Sequence, residues 1–157
     1  MWIGGNRMKR IYIVIVVLAF FSGLQVMAGD FTDNGDGTIT DNVTGLMWQK
    51  EDDNISRTWE SSIMYCEGLS LSNYSDWRLP NPKELKSIVD YTTYSPAIDL
   101  TYFPNTIILF PNGWFYWSST TLVNFTSDAW YVEYASGFVG SEPKSSSGYV
   151  RCVRGGQ

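Results

Sequence analysis

The chain has 157 residues, 11 Lys plus Arg against 16 Asp plus Glu, no histidine and two cysteines. Without histidine it cannot build a Ser-His-Asp triad, a Cys-His dyad or a histidine-ligated zinc centre. Its net charge of −5 and the absence of a basic run leave no electrostatic footprint for nucleic acid.

At the N-terminus, Arg7, Lys9 and Arg10 precede an apolar run from Ile11 to Phe21, which ends in Val26-Met27-Ala28. This charged, apolar, small-residue order predicts a secretory signal over residues 1–28, with cleavage after Ala28 and either Met1 or Met8 as the start. The apolar run is short for a membrane span, so no stable span is expected once the signal is removed. The remaining 129 residues carry a net charge of −8, suit a single domain over 29–157, and belong outside the cytoplasm: secreted, on the cell surface or in the periplasm.

Phe31 to Asp41 reads as two short strands around an Asn-Gly or Asp-Gly turn. Its spaced oxygens resemble a calcium loop only in part: the leading Asp and the bidentate Glu at the twelfth position, here Val43, are missing, so a glycine-rich hairpin is expected and no metal site. Leu46-Met47-Trp48 follows as a core strand. From Thr58 to Leu69, Trp59, Ile63, Cys66 and Leu69 recur at helical spacing, with Thr58 as N-cap. Asn81-Pro82-Lys83-Glu84 carries a capping box and a first-turn proline, predicting a second helix from Pro82 to about Tyr91 with Leu85, Ile88 and Val89 as its apolar stripe. Pro96, Pro104 and Pro111 make Thr92 to Asn112 irregular. Trp114–Ser118, Ala129–Tyr134, Gly137–Val139 and Tyr149–Val153 then read as strands. The fold class is α+β: two helices packed on mostly antiparallel strands with long loops. Cys66 and Cys152, the only cysteines of an exported domain, are expected to form one disulfide.

Trp77-Arg78-Leu79-Pro80-Asn81, Tyr116-Trp117-Ser118-Ser119-Thr120 and Tyr149-Val150-Arg151-Cys152-Val153-Arg154, with the opening hairpin and Thr44-Gly45-Leu46-Met47-Trp48, resemble the C-terminal domain family of the Legionella collagen-like adhesin. The resemblance implies a C-type-lectin-like fold close to the formylglycine-generating-enzyme variant, and a disulfide between the first helix and the last strand. It also implies an adhesin role toward a glycan, in the named adhesin a sulfated one. The collagen-like repeat of that adhesin is missing here. So is the Glu-Pro-Asn signature of calcium-dependent lectins: Glu142-Pro143 is followed by Lys144, which disfavours a calcium-bridged sugar.

Trp48, Trp59, Trp77 and Trp117 are expected in the core. Trp114, Trp130, Tyr131 and Tyr134 fall on the late strands, and an aromatic platform there with Asn112, Asn124 and Lys144 would stack a sugar ring and bond its hydroxyls. The expected ligand-binding set is therefore Asn112, Trp114, Asn124, Trp130, Tyr134 and Lys144, with no catalytic residue, metal or cofactor. Arg78, Arg151 and Arg154 can grip sulfates or carboxylates, and Arg78 and Arg151 are expected instead to pair with acids such as Asp76 to pin the fold. The leading expectation is an exported, non-catalytic adhesion module that recognises a glycan or surface protein through its late-strand loops without calcium. The alternatives are an exported structural or assembly subunit with a protein partner, and a glycan-acting enzyme using a carboxylate pair.

Overall fold

A computed structural model describes residues 29–108 and 114–155. The expected signal and Asn112 lie outside the described residues.

The elements run β1 (Phe31–Asp33), β2 (Thr38–Asp41), β3 (Met47–Gln49), α1 (Trp59–Glu67), α2 (Pro82–Ser87), β4 (Tyr116–Leu122), β5 (Phe125–Glu133), β6 (Phe138–Pro143) and β7 (Val153–Arg154). They form a four-stranded sheet in the order β1-β2-β3-β7 and a three-stranded sheet β4-β5-β6, with every strand pair antiparallel. The α+β class and the two helices agree with the sequence reading. No helix among the described residues is long and apolar enough to cross a membrane.

Both helices are shorter than their apolar spacing predicts. In α1, Thr58 holds the N-cap position, but its hydroxyl donates to Ser61 Oγ and no side-chain cap forms. In α2 the full capping box is present: Asn81 accepts from Lys83 and Glu84 N–H, and Glu84 reaches back to Asn81 N–H at 2.8 Å. The helix stops at Ser87, not near Tyr91, because Val89 N–H turns back to Lys86 and Asp90 N–H goes to Ala97 O across the next loop. Leu85 and Ile88 are still buried.

The β4–β5 hairpin is longer than expected, and the last strand is shorter. Tyr149 joins the late sheet by a single parallel bridge to Tyr116, while Val153 and Arg154 pair with β3, so the chain end ties the two sheets together. Cys66 on α1 and Cys152 beside β7 are bridged, with Cα atoms 5.5 Å apart and both residues fully buried.

One apolar cluster gathers Phe31, Ile39 and Trp48 from the first sheet, Leu85 and Ile88 from α2, and Tyr116 and Val132 from the late sheet. A second surrounds the disulfide with Trp77, Leu79, Phe115, Trp117 and Ala129. Trp48, Trp77 and Trp117 are buried as expected, and Trp59 is half-buried.

The arginines serve the fold. Arg78 grips Glu84 through both terminal nitrogens, at 2.8 and 2.6 Å, and Arg154 takes Asp76. Arg151 is fully buried against Asp52 at 3.4 Å; its guanidinium also donates to Gln49 O, Lys50 O and Thr106 Oγ1. Tyr116 closes this network, donating to Asp52 Oδ2 at 2.7 Å while accepting from Ile107 N–H. Burial pushes the Tyr116 hydroxyl well above the usual phenol range, so it stays protonated as the donor.

Candidate functional site

The five expected ligand-binding residues that lie among the described ones, Asn112 being outside them, do not converge. Tyr134 is 0 % exposed, and its hydroxyl donates to Leu85 O at 3.0 Å, so it holds α2 to the late sheet and presents nothing to a ligand. Trp114 is half-buried, packed on Tyr149 with ring centroids 5.4 Å apart. Asn124 is exposed at the tip of the β4–β5 hairpin, roughly 20 Å of strand away from Trp130 at ordinary strand rise. Trp130 and Tyr131, being consecutive on β5, face opposite sides of the sheet. Lys144 lies over the Trp59 ring, its ammonium 4.1 Å from the centroid, and that cation–π contact engages both groups. Alternation along a strand puts aromatic residues on both faces, and strand identity does not say which face the helices cover.

The Asp33–Asp41 segment is the expected hairpin. Its carboxylates are engaged: Asp33 with Lys50, Asp36 with Thr38 and Ser72, and Asp41 with the Val43 and Thr44 N–H groups. Hydrogen bonds from Lys50 and from the Gly35 N–H hold the Asp33 carboxyl below its ordinary value.

Several concave surfaces occur among the described residues, one of them a smaller hollow beside Lys144, and a group of them lies beside α2. A cleft of about 350 Å³ is walled on one side by the Asp41–Gly45 turn, with Val43 and Thr44 facing in, and on the other by Val89, Tyr91 and Thr92. Lys86 and Ser87 form its α2 side. It shares Thr44 and Ser87 with a second hollow bordered by Lys83, and Asp90 with a third bordered by Tyr94 and Pro96. The three make a track of neighbouring hollows, sharing these lining residues, along the helix and the loop that follows it.

The sequence builds this track by stopping the helix early. After Ser87 the backbone enters a loop closed at its base by Asp90 N–H to Ala97 O. The loop is stitched to the β5–β6 turn by Ser95 N–H to Ala135 O at 2.7 Å and Ala97 N–H to Tyr134 O at 2.8 Å. Within it, Asp90 accepts from the N–H and hydroxyl of Thr92, and Thr93 donates to Pro96 O. Ser95 sits at φ 47°, in the left-handed region that costs a non-glycine residue free energy, and these bonds hold it there. Tyr91 and Tyr94 consequently project from a tethered loop, 62 % and 67 % exposed. Tyr91 also lies against Gly137, where a Cβ would come 3.0 Å from the Tyr91 ring and 2.7 Å from Val89; with φ at 75°, the position admits only glycine without strain.

Chemically, the track offers two exposed phenol rings, the Thr44 hydroxyl and two exposed ammonium groups on Lys83 and Lys86, while the Ser87 and Thr92 hydroxyls already donate to Glu84 O and Asp90. Neither lysine joins an ion pair among the described residues. The bordering carboxylates of Asp41 and Asp90 are spent on turns, so no free carboxylate pair faces the cleft. The residues that build it were missed in the sequence because they fall in an irregular stretch. Their one visible signal is Tyr91-Thr92-Thr93-Tyr94, two aromatic residues in a polar loop with no apolar periodicity to bury them.

Residues 37–154 match the model of the Lcl C-terminal domain, so the chain belongs to that family of adhesin-associated domains. No curated protein matches the chain.

Proposed function

We propose that this Lcl C-terminal domain is an exported, non-catalytic adhesion module with a C-type-lectin-like arrangement, and that it holds a surface glycan in the track beside α2. Export is supported by the signal-like order of residues 1–28. The single observation that carries the glycan reading is the display of Tyr91 and Tyr94, more than half exposed, on a loop fixed at both ends and set along a mostly apolar cleft. Exposed aromatic rings next to the Thr44 hydroxyl and the Lys83 and Lys86 ammonium donors match a sugar, which has apolar ring faces and a rim of hydroxyls. A tethered loop also loses little conformational entropy on binding. Recognition is thereby moved from Trp114, Trp130 and Tyr134 to the loop that covers the β5–β6 turn. The mechanism needs no metal, because stacking and hydrogen bonding supply the contacts.

The test is a glycan array followed by titration of the best ligand. Tyr91→Ala combined with Tyr94→Ala should weaken binding at least about tenfold, since each lost aromatic stack is worth on the order of 1 kcal/mol. Binding should persist in a calcium chelator, and should weaken with added salt if Lys83 and Lys86 contribute. Loss of binding on chelation with recovery on calcium, or full binding by the double variant, would overturn the reading.

A further inference from the structure

The strand β6 is the outer member of its sheet, and among the described residues no strand pairs with its far side. Which of its backbone groups face outward follows from the ladder. Lys144 N–H donates to Ser127 O, and the register continues as Glu142 opposite Ala129, Gly140 opposite Tyr131 and Phe138 opposite Glu133. In an antiparallel pair the hydrogen-bonded positions alternate, so the even-numbered residues bond inward and Val139 and Ser141 turn their N–H and C=O groups outward. Edge strands are normally blunted by charge, proline or a bulge. Here Glu142 and Pro143 guard only one end, leaving Phe138 to Ser141 open, with Phe138 56 % exposed.

We propose that β6 is a self-association edge, at which two copies of this chain join antiparallel about a two-fold axis through Gly140. In that register Val139 of each copy faces Ser141 of the other, and the two pairs exchange four backbone hydrogen bonds. One residue further along, the outward group facing Val139 would be Pro143, which has no N–H and whose carbonyl is already taken by Ser146. The Gly140 register also sets Phe138 against Glu142, so neither carboxylate meets its own copy and no like charges oppose. At the axis the two glycines present no side chain. The space above each is filled from its own chain by Tyr131, whose hydroxyl oxygen is 2.5 Å from where a Gly140 Cβ would be. Joining the copies therefore runs the Tyr131 and Phe138 rings of both into one aromatic ridge, covering surface that each copy alone leaves exposed. A dimer would also carry two copies of the α2 track, and paired sites raise avidity without any new contact to the ligand. The association itself stands on β6 alone and does not depend on the glycan reading.

Sedimentation of the purified chain across a concentration series should show a monomer–dimer equilibrium. Val139→Pro removes an outward N–H from each copy without touching the bonds to β5, and should raise the dissociation constant about thirtyfold. The register is read separately. Phe138→Cys and Glu142→Cys chains, mixed and oxidised, should cross-link to each other, while either chain alone should not, because only the mixed pair stands directly opposite. A monomer at every concentration, a dimer unaffected by Val139→Pro, or cross-linking within a single variant as strong as in the mixture would each overturn the proposal.

Discussion

Replacing Arg151 by methionine tests whether the fold depends on a single buried charge pair. The Arg151 and Asp52 side chains are 0 % and 1 % exposed, so solvent gives neither any relief. In Arg151→Met, Asp52 keeps the Tyr116 hydroxyl at 2.7 Å and the Asn54 backbone N–H at 2.9 Å, with the Asn54 side-chain amide beside it, but no cation, while Gln49 O, Lys50 O and Thr106 Oγ1 lose their donor. Removing one partner of a buried pair costs about 3–5 kcal/mol, because the remaining charge is left desolvated and uncompensated. Methionine keeps part of the packing that the guanidinium makes on Phe103 and Tyr116, so the expected loss is about 4 kcal/mol, a large share of the ~5–15 kcal/mol total of a domain. Urea unfolding followed by tryptophan fluorescence, with the disulfide kept oxidised, should show a lower midpoint at an unchanged slope. Adding Asp52→Asn to Arg151→Met should recover about 1–2 kcal/mol, since the orphaned charge is then gone. A loss below about 1 kcal/mol at unchanged slope, or no recovery in the double variant, would refute the assignment of a buried ionic tie.

Replacing Cys66 and Cys152 by serine should lower stability by about 4–5 kcal/mol in the chain-entropy account, because the bridge closes a loop across 86 positions; equal denaturation midpoints for both forms would contradict this. Although burial raises the Glu84 carboxyl, Arg78 and the Asn81 N–H outweigh it and set its value below the ordinary 4.5. The unfolded chain thus takes up this proton first: the stabilisation is complete above about pH 4.5 and drains as pH falls through and below that value. Arg78→Met should flatten that acid limb in a stability–pH profile. Gly137→Ala should disturb Tyr91 and weaken glycan binding several-fold while leaving β4–β5 pairing intact, as read by titration together with far-UV circular dichroism. Export should yield a chain beginning at Gly29; an intact Met1 or Met8 on N-terminal sequencing would mean that the signal is retained as an anchor.

Local chemistry was enough for several elements. Asn81, Pro82 and Glu84 specify the start of α2 because all the atoms of a capping box lie within four residues. The Phe31–Asp41 hairpin follows from glycine at the turn, where Gly35 and Gly37 take positive φ. The disulfide followed from having only two cysteines in a chain expected to be exported. What ended α2 was not local: the carbonyl of Ala97, ten residues beyond Ser87, takes the Asp90 N–H, and that non-local bond makes the loop that carries Tyr91 and Tyr94. The partners of two arginines were equally out of reach, since Arg151 finds Asp52 and Arg154 finds Asp76 across 99 and 78 positions, whereas Arg78 finds Glu84 only six positions away. The sequence reading exposed Tyr134 for the same reason. A strand pattern says that Trp130 and Tyr134 alternate with their neighbours, but only the packing of α2 against β5 decides that Tyr134 faces the core. Periodicity reports which residues share a face, whereas burial depends on what the rest of the chain lays over that face.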